Sequence, residues 1–112
     1  MNGATKVYSI DISEPGDEFQ VISKQFPDRL SFVAADCTKE PSIQATVDKI
    51  VAEAGSLHGI VCNAGRTNHK SALDFTTEEI ESLFAINVRI LAYVVRIQIV
   101  DKFLAFWILL LC

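Results

Sequence analysis

Three short apolar runs in this chain stop at residues able to meet a ligand. Asp11 closes KVYSID, Asp36 and Cys37 close RLSFVAADC, and Asn63-Ala64-Gly65 closes HGIVCNAG. A carboxylate at such a stop accepts hydrogen bonds from paired hydroxyls or an amino group, and the Cys37 backbone N–H can donate beside it. Ala64 and Gly65 let a ligand or a second backbone approach closely. The Asn63 amide can pin two chain ends together through its donors and its acceptor. A fourth polar residue, Asn87, lies inside an otherwise apolar helical run, where an unpaired buried amide would be costly. Each has an ordinary structural reading beside the functional one: Asp11 as a turn former, Asp36 as a helix cap, Asn87 as an exposed or helix-bonded residue.

The elements that must position these residues are legible in the pattern. KVYSID (6–11) and RLSFVAAD (29–36) read as strands, and HGIVCN (58–63) as a third. SEPGDEF opens a helix that runs to about Phe26, because Pro27 follows. A second helix spans 38–55, with Pro41 in its first turn and Gly55 at its C-cap. Its Ile43, Val47, Ile50, Val51 and Ala54 recur at spacings that place them on one face. Strands separated by helices predict βαβ units and a parallel sheet, whose C-terminal edge is where ligands bind in such sheets. TTEE then offers a capping box at Thr76 and Glu79, and a helix follows with no Gly or Pro after Gly65 to stop it.

Composition narrows the function. Half of the 112 residues are apolar and 21% are charged, which describes a single globular domain. The net charge of −4, with no basic run or patch, argues against a nucleic-acid footprint. Cys37, Cys62 and Cys112 are widely spaced without CxxC, and His58 and His69 have no partner at ligand or triad spacing, so no metal site is expected. The cysteine usage and the absence of an apolar leader point to a reducing, cytoplasmic setting. FLAFWILLL (103–111) is too short to span a bilayer, and charges interrupt the wider window from Ile90. Membrane association through residues 90–111 is the alternative reading.

Taken together, YSID, VAADCT, GSLHGIVCNAG and FAINV, in this order and spacing, resemble the short-chain dehydrogenase/reductase family, of classical type, over roughly residues 4–88. The loop from Asn63 to Val88 looks most like fungal sugar or polyol reductases. The resemblance implies a doubly wound, Rossmann-like α/β sheet, hydride transfer between NAD or NADP and a small carbonyl or alcohol substrate, and no nucleic acid. It implies that Asp11 meets the adenosine ribose, favouring NAD, and that Asp36 with Cys37 meets the adenine. It implies that Asn63, Ala64 and Gly65 line the cofactor cleft. Asn87 would be the helix asparagine of the catalytic set, positioning a water in the proton relay.

Departures from the family pattern qualify the activity. The family's first strand and its GxxxGxG turn should precede KVYSID by about 20 to 25 residues, and the chain opens too late for them. The expected fold is therefore a partial sheet of three strands with a long apolar C-terminal helix. The family's catalytic tyrosine and lysine stand four apart, but Tyr8 and Tyr93 are followed at that spacing by Ile12 and Ile97. Arg89-Ile90 replaces small residues, which divides the chain into a partial NAD(P)-binding domain (1–88) and a hydrophobic tail (89–112) and reads as a frame change, retained intron or misjoined exon. The expectation is a truncated, inactive fragment of a family enzyme. The alternative is a non-catalytic isoform or a mispredicted product, and unpaired strand edges would promote self-association or aggregation.

Overall fold

The computed structural model describes residues 3–100. Strands β1 (Val7–Asp11) and β2 (Leu30–Ala34) pair in parallel, in register from Val7 with Leu30 to Asp11 with Ala34. The ladder is closed at both ends: the Val7 N–H donates to the Arg29 carbonyl at 2.8 Å, and the Ala35 N–H donates to the Asp11 carbonyl at 3.0 Å. Helix α1 (Asp17–Gln25) connects the two strands. Its first turn carries Asp17 and Glu18 and its last turn Lys24, each at the end of the helix dipole that favours its charge. After Pro27, Asp28 takes φ 66°, a left-handed conformation that Asp tolerates, and turns the chain into β2.

Alternation along the strands assigns their faces. Ser9 and Phe32 are register partners, and Phe32 meets Phe19 of α1 edge to face, with ring centroids 6.2 Å apart. Tyr8, on the opposite face, donates its hydroxyl to Glu53 of α2 (Glu40–Ala54) at 3.2 Å. Helices therefore lie on both faces of the sheet. Helix α2 begins with Pro41 in its first turn and ends at Gly55, whose φ of 80° demands glycine and whose N–H donates to the Val51 carbonyl. Of its predicted apolar face, Ile43, Val47 and Ile50 are buried, Val51 is half-buried and Ala54 is exposed.

The sheet holds two strands among the described residues, where the sequence predicts three. Residues 58–63 pair with no strand among the described residues, and the Asn63 N–H folds back onto the Val61 carbonyl at 3.1 Å. A parallel strand is defined by its neighbours' hydrogen bonds, and this segment has none. Its strand-like alternation survives in packing alone: Ile60 and Cys62 are half-buried, whereas Val61 is 61% exposed.

After a 3₁₀ turn at Ala72–Asp74, a long helical stretch begins. Helix α3 (Thr77–Phe84) passes into a π-helical turn (Ala85–Arg89) and then into α4 (Ile90–Val100). The predicted capping box is formed on both sides: the Glu79 N–H donates to Thr76 Oγ1 at 3.2 Å, and the Thr76 N–H donates to Glu79 Oε2 at 2.9 Å. The core joins α2 to α4, with Ile43 and Val47 packed against Ile90, Val94 and Ile97. That core crosses the boundary at residue 88 drawn from sequence. No helix among the described residues is long and apolar enough to cross a membrane, and the apolar run 103–111 lies outside the described residues.

Candidate functional site

The ends of β1 and β2 bring Asp11 and Asp36 to one edge, because parallel register places Asp11 beside Ala34 and the chain continues through Ala35. Asp11 Oδ1 accepts the Ser13 N–H at 2.9 Å, a local turn that leaves its second oxygen without a partner among the described residues. Asp36 is more fully engaged. Its Oδ1 accepts the Thr38 hydroxyl at 2.6 Å and the Thr38 N–H at 3.0 Å, and Lys39 Nζ lies 3.3 Å from Oδ2. The Thr38 bonds first, then Lys39, hold the Asp36 carboxyl below the usual carboxylate range. The Asp36 N–H in turn donates to Ser42 Oγ at 3.0 Å. Thr38 and Ser42 were not singled out in the sequence, although Asp-x-Thr is a recognisable turn signal.

Cys37 reports that the run-ends converge. Partial burial pushes its thiol up, and the carboxylates of Asp11 and Asp36 and the neighbouring Cys62 push it further. Cys62 is also pushed up by burial. Both cysteines rest against the α2–α4 core. A thiol held protonated in this way is packing material and a poor nucleophile.

Asn63, Ala64 and Gly65 lie on an exposed loop. What fixes that loop is Asn87. Its Nδ2 donates to the Arg66 carbonyl and its Oδ1 accepts the Arg66 N–H, both at 2.8 Å. The side-chain amide thus substitutes for a strand neighbour at one residue of the loop. Gly65 is required by the approach: a Cβ there would stand 2.9 Å from Asn87 Oδ1. Asn87 sits in the π turn, which widens the helix locally and redirects the side chains it carries, a feature recurrent at functional sites. The Arg66 guanidinium also donates to the Ser82 hydroxyl, tying the loop to α3 a second time. Arg66 carries no sequence signal for this role, because its partners lie 16 and 21 residues away. Asn87 is exposed, so its amide serves as a surface clamp where the sequence left a buried role open.

An open depression of about 410 Å³ lies on the α1 face of the sheet, lined by Ser9, Asp11, Glu14, Phe19 and Phe32 among others. It shares only Asp11 with the predicted set. No cluster of metal-ligating side chains occurs among the described residues.

Comparison with known proteins gives this arrangement a family. A family model described as enoyl-(acyl carrier protein) reductase matches residues 2–100, past the boundary suggested at residue 88. The chain belongs to the short-chain dehydrogenase/reductase family, whose members are NAD(P)-dependent oxidoreductases. A short-chain dehydrogenase/reductase of Armillaria gallica is 34% identical over 58 residues, covering 52% of this chain and 22% of that protein. The 4-formylbenzenesulfonate dehydrogenase TsaC1/TsaC2 of Comamonas testosteroni is 38% identical over 58 residues, covering 51% of this chain and 23% of its own length. The NADPH-bound carbonyl reductase of chicken fatty liver superposes on 83% of this chain with a TM-score of 0.73 at 17% identity, over 38% of its own length. The matched region is thus less than a quarter of each of these two curated relatives.

Proposed function

We propose that this chain forms the adenosine-side wall of an NAD(P) cleft in an oxidoreductase acting on a small carbonyl or alcohol, and that the 112 residues alone do not turn over. The observation that carries this reading is the two-point grip of Asn87 on Arg66, which fixes the loop directly after Asn63-Ala64-Gly65, while Cys62, just before it, neighbours Cys37 at the end of the second run. Asp11 fits a ribose because one carboxylate oxygen is left for a hydroxyl, and its charge favours NAD by repelling a 2′-phosphate. Asp36 orients the turn that presents the Cys37 N–H toward an adenine ring. After its bond to Arg66, one Asn87 amide hydrogen remains to hold a water.

The nicotinamide supplies hydride transfer when bound; these residues bind and orient it. Within the 112 residues there is no glycine-rich turn to hold the pyrophosphate, and no tyrosine has a lysine four residues on to serve as its acid–base partner. The substrate is a carbonyl or alcohol, of the sugar or polyol kind by the resemblance of the loop after Asn63, while the Comamonas relative is named for an aromatic aldehyde. Two titrations test the reading. NADH fluorescence should show no saturable micromolar binding, and micromolar binding would overturn the proposed dependence on a missing pyrophosphate hold. Millimolar NAD should shift the amide resonances of Ser13, Cys37 and Arg66, with NADP weaker; unmoved resonances would sink the assignment of the wall.

A further inference from the structure

Strand β1 has a strand neighbour on one side only among the described residues. The Val7 N–H and the Asp11 carbonyl both point toward β2. Peptide groups alternate along a strand, so Val7, Ser9 and Asp11 bond toward β2, whereas Tyr8 and Ile10 aim their N–H and C=O groups at the open side. Those outward groups bond to no other backbone among the described residues. Protected sheet edges carry a proline, a bulge or a charge in mid-strand. The edge of β1 carries none of these, and Val7 and Ile10 are 38% and 37% exposed along it.

Charge at the two ends of the strand selects what fits this edge. Lys6 stands just before β1 and Asp11 closes it, and neither is in an ion pair among the described residues. The outer edge of β2 differs. There Arg29 donates to the Ala4 carbonyl, and Asp36 is held by Thr38 and Lys39. Of the two outer edges described, that of β1 is the one whose basic and acidic ends are both open. Such an edge is complementary to its own antiparallel image.

We propose that a second copy of the chain adds its own β1 to this edge, antiparallel, about a two-fold axis at Ser9. Ser9 is the middle residue of β1, so the whole strand overlaps. Tyr8 exchanges both backbone hydrogen bonds with Ile10 of the other copy, and the aromatic and β-branched side chains meet on one face. Ser9 meets Ser9 at the non-hydrogen-bonded position, where side chains stand closest and small ones fit. Lys6 of each copy lies at the Asp11 end of the other, whereas parallel pairing would set like charges together. The result is one continuous sheet in the order β2-β1-β1-β2, through an isologous contact that closes at two. Strands of five residues make a small contact, so the equilibrium is weak and concentration-dependent.

Sedimentation velocity of the full 112-residue chain across a micromolar concentration series tests this. A monomer–dimer equilibrium is expected. Ile10→Pro removes an outward N–H and no bond to β2, so it should weaken the dimer by about tenfold or more with far-ultraviolet circular dichroism unchanged. Lys6→Glu should weaken it less. Ser9→Cys reads the register: under oxidised glutathione the two copies should join at that position, because a non-hydrogen-bonded pair sits within disulfide reach. Val7→Cys should not join, because its two copies lie about 14 Å apart in this register. Peptide mapping without reduction distinguishes these links from any made by the native cysteines. A monomer throughout, association indifferent to Ile10→Pro, or equal linkage at the two substituted positions overturns the proposal. Where Ile10→Pro disturbs the fold, the Ser9→Cys chain decides alone, and absence of its link overturns the proposal.

Discussion

Asp36 and Arg66 both stand a few residues beyond an apolar run, yet they are held by opposite means. Asp36 is fixed by Thr38, Lys39 and Ser42, all within six residues. Arg66 is fixed by Ser82 and Asn87, the nearer of them 16 residues away. The first turn would keep much of its shape in a short peptide, because side-chain-to-backbone bonds of this kind form locally. The second exists only when the α3–π stretch is folded and seated. Of the two turns, the one carrying the family's small residues is the one that depends on tertiary structure.

Removing the seat should affect that contrast most. Ile97 is 3% exposed and packs α4 onto the α2 face. Ile97→Ala should cost about 2–5 kcal/mol of stability, read by chemical denaturation, with the Arg66 loop losing amide protection before the Asp36 turn. Equal loss in both would mean that the two turns are not held differently.

Cutting the clamp itself should be smaller and confined to one side. Asn87→Ala removes two hydrogen bonds to an exposed loop, about 1–3 kcal/mol in sum. Hydrogen exchange should quicken at Arg66 and stay unchanged at Thr38. Gly65→Ala should act in the same direction through steric pressure on the Asn87 amide, by roughly 1–3 kcal/mol if the loop cannot shift. A Gly65→Ala chain with native exchange at Arg66 would show that the approach is not tight in solution.

The smallest effect belongs to the local turn and is best seen as pH dependence. The folded state holds the Asp36 carboxyl below its ordinary value of 3.8, so the folded chain binds fewer protons there than the unfolded one. Its contribution is present above the ordinary carboxylate range and is lost as pH falls through the depressed folded value. Glu79, held below 4.5 by Lys70 and the Thr76 N–H, behaves likewise. Asp36→Asn should flatten part of the acid limb of stability without changing exchange at Arg66. An unchanged acid limb would place the linkage elsewhere.

Much of this architecture is written in local chemistry. Pro41 and Gly55 mark the ends of α2, and the Thr76–Glu79 capping box forms as its spacing predicts. β1 and β2 appear where their β-branched and aromatic runs lie. HGIVC has the same local character but forms no strand, because pairing is a property of neighbours, and none lies beside it among the described residues. The family was legible because its motifs occupy strand ends and helix positions at fixed spacing, and the match over residues 2–100 bears it out.

The sequence by itself determined the family, the helix limits, the parallel pairing of its first two strands and the identity of the polar residues at the run-ends. Only the tertiary structure decided how they are held. It turned Asn87 from an unexplained amide in an apolar helix into a two-point clamp, placed Arg66 under it, and left Ile80, Phe84 and Val88 facing outward. The physical reason is separation along the chain. Caps and turns are settled within a few residues, whereas a bond across 21 residues requires both elements to be folded before either partner gains from it.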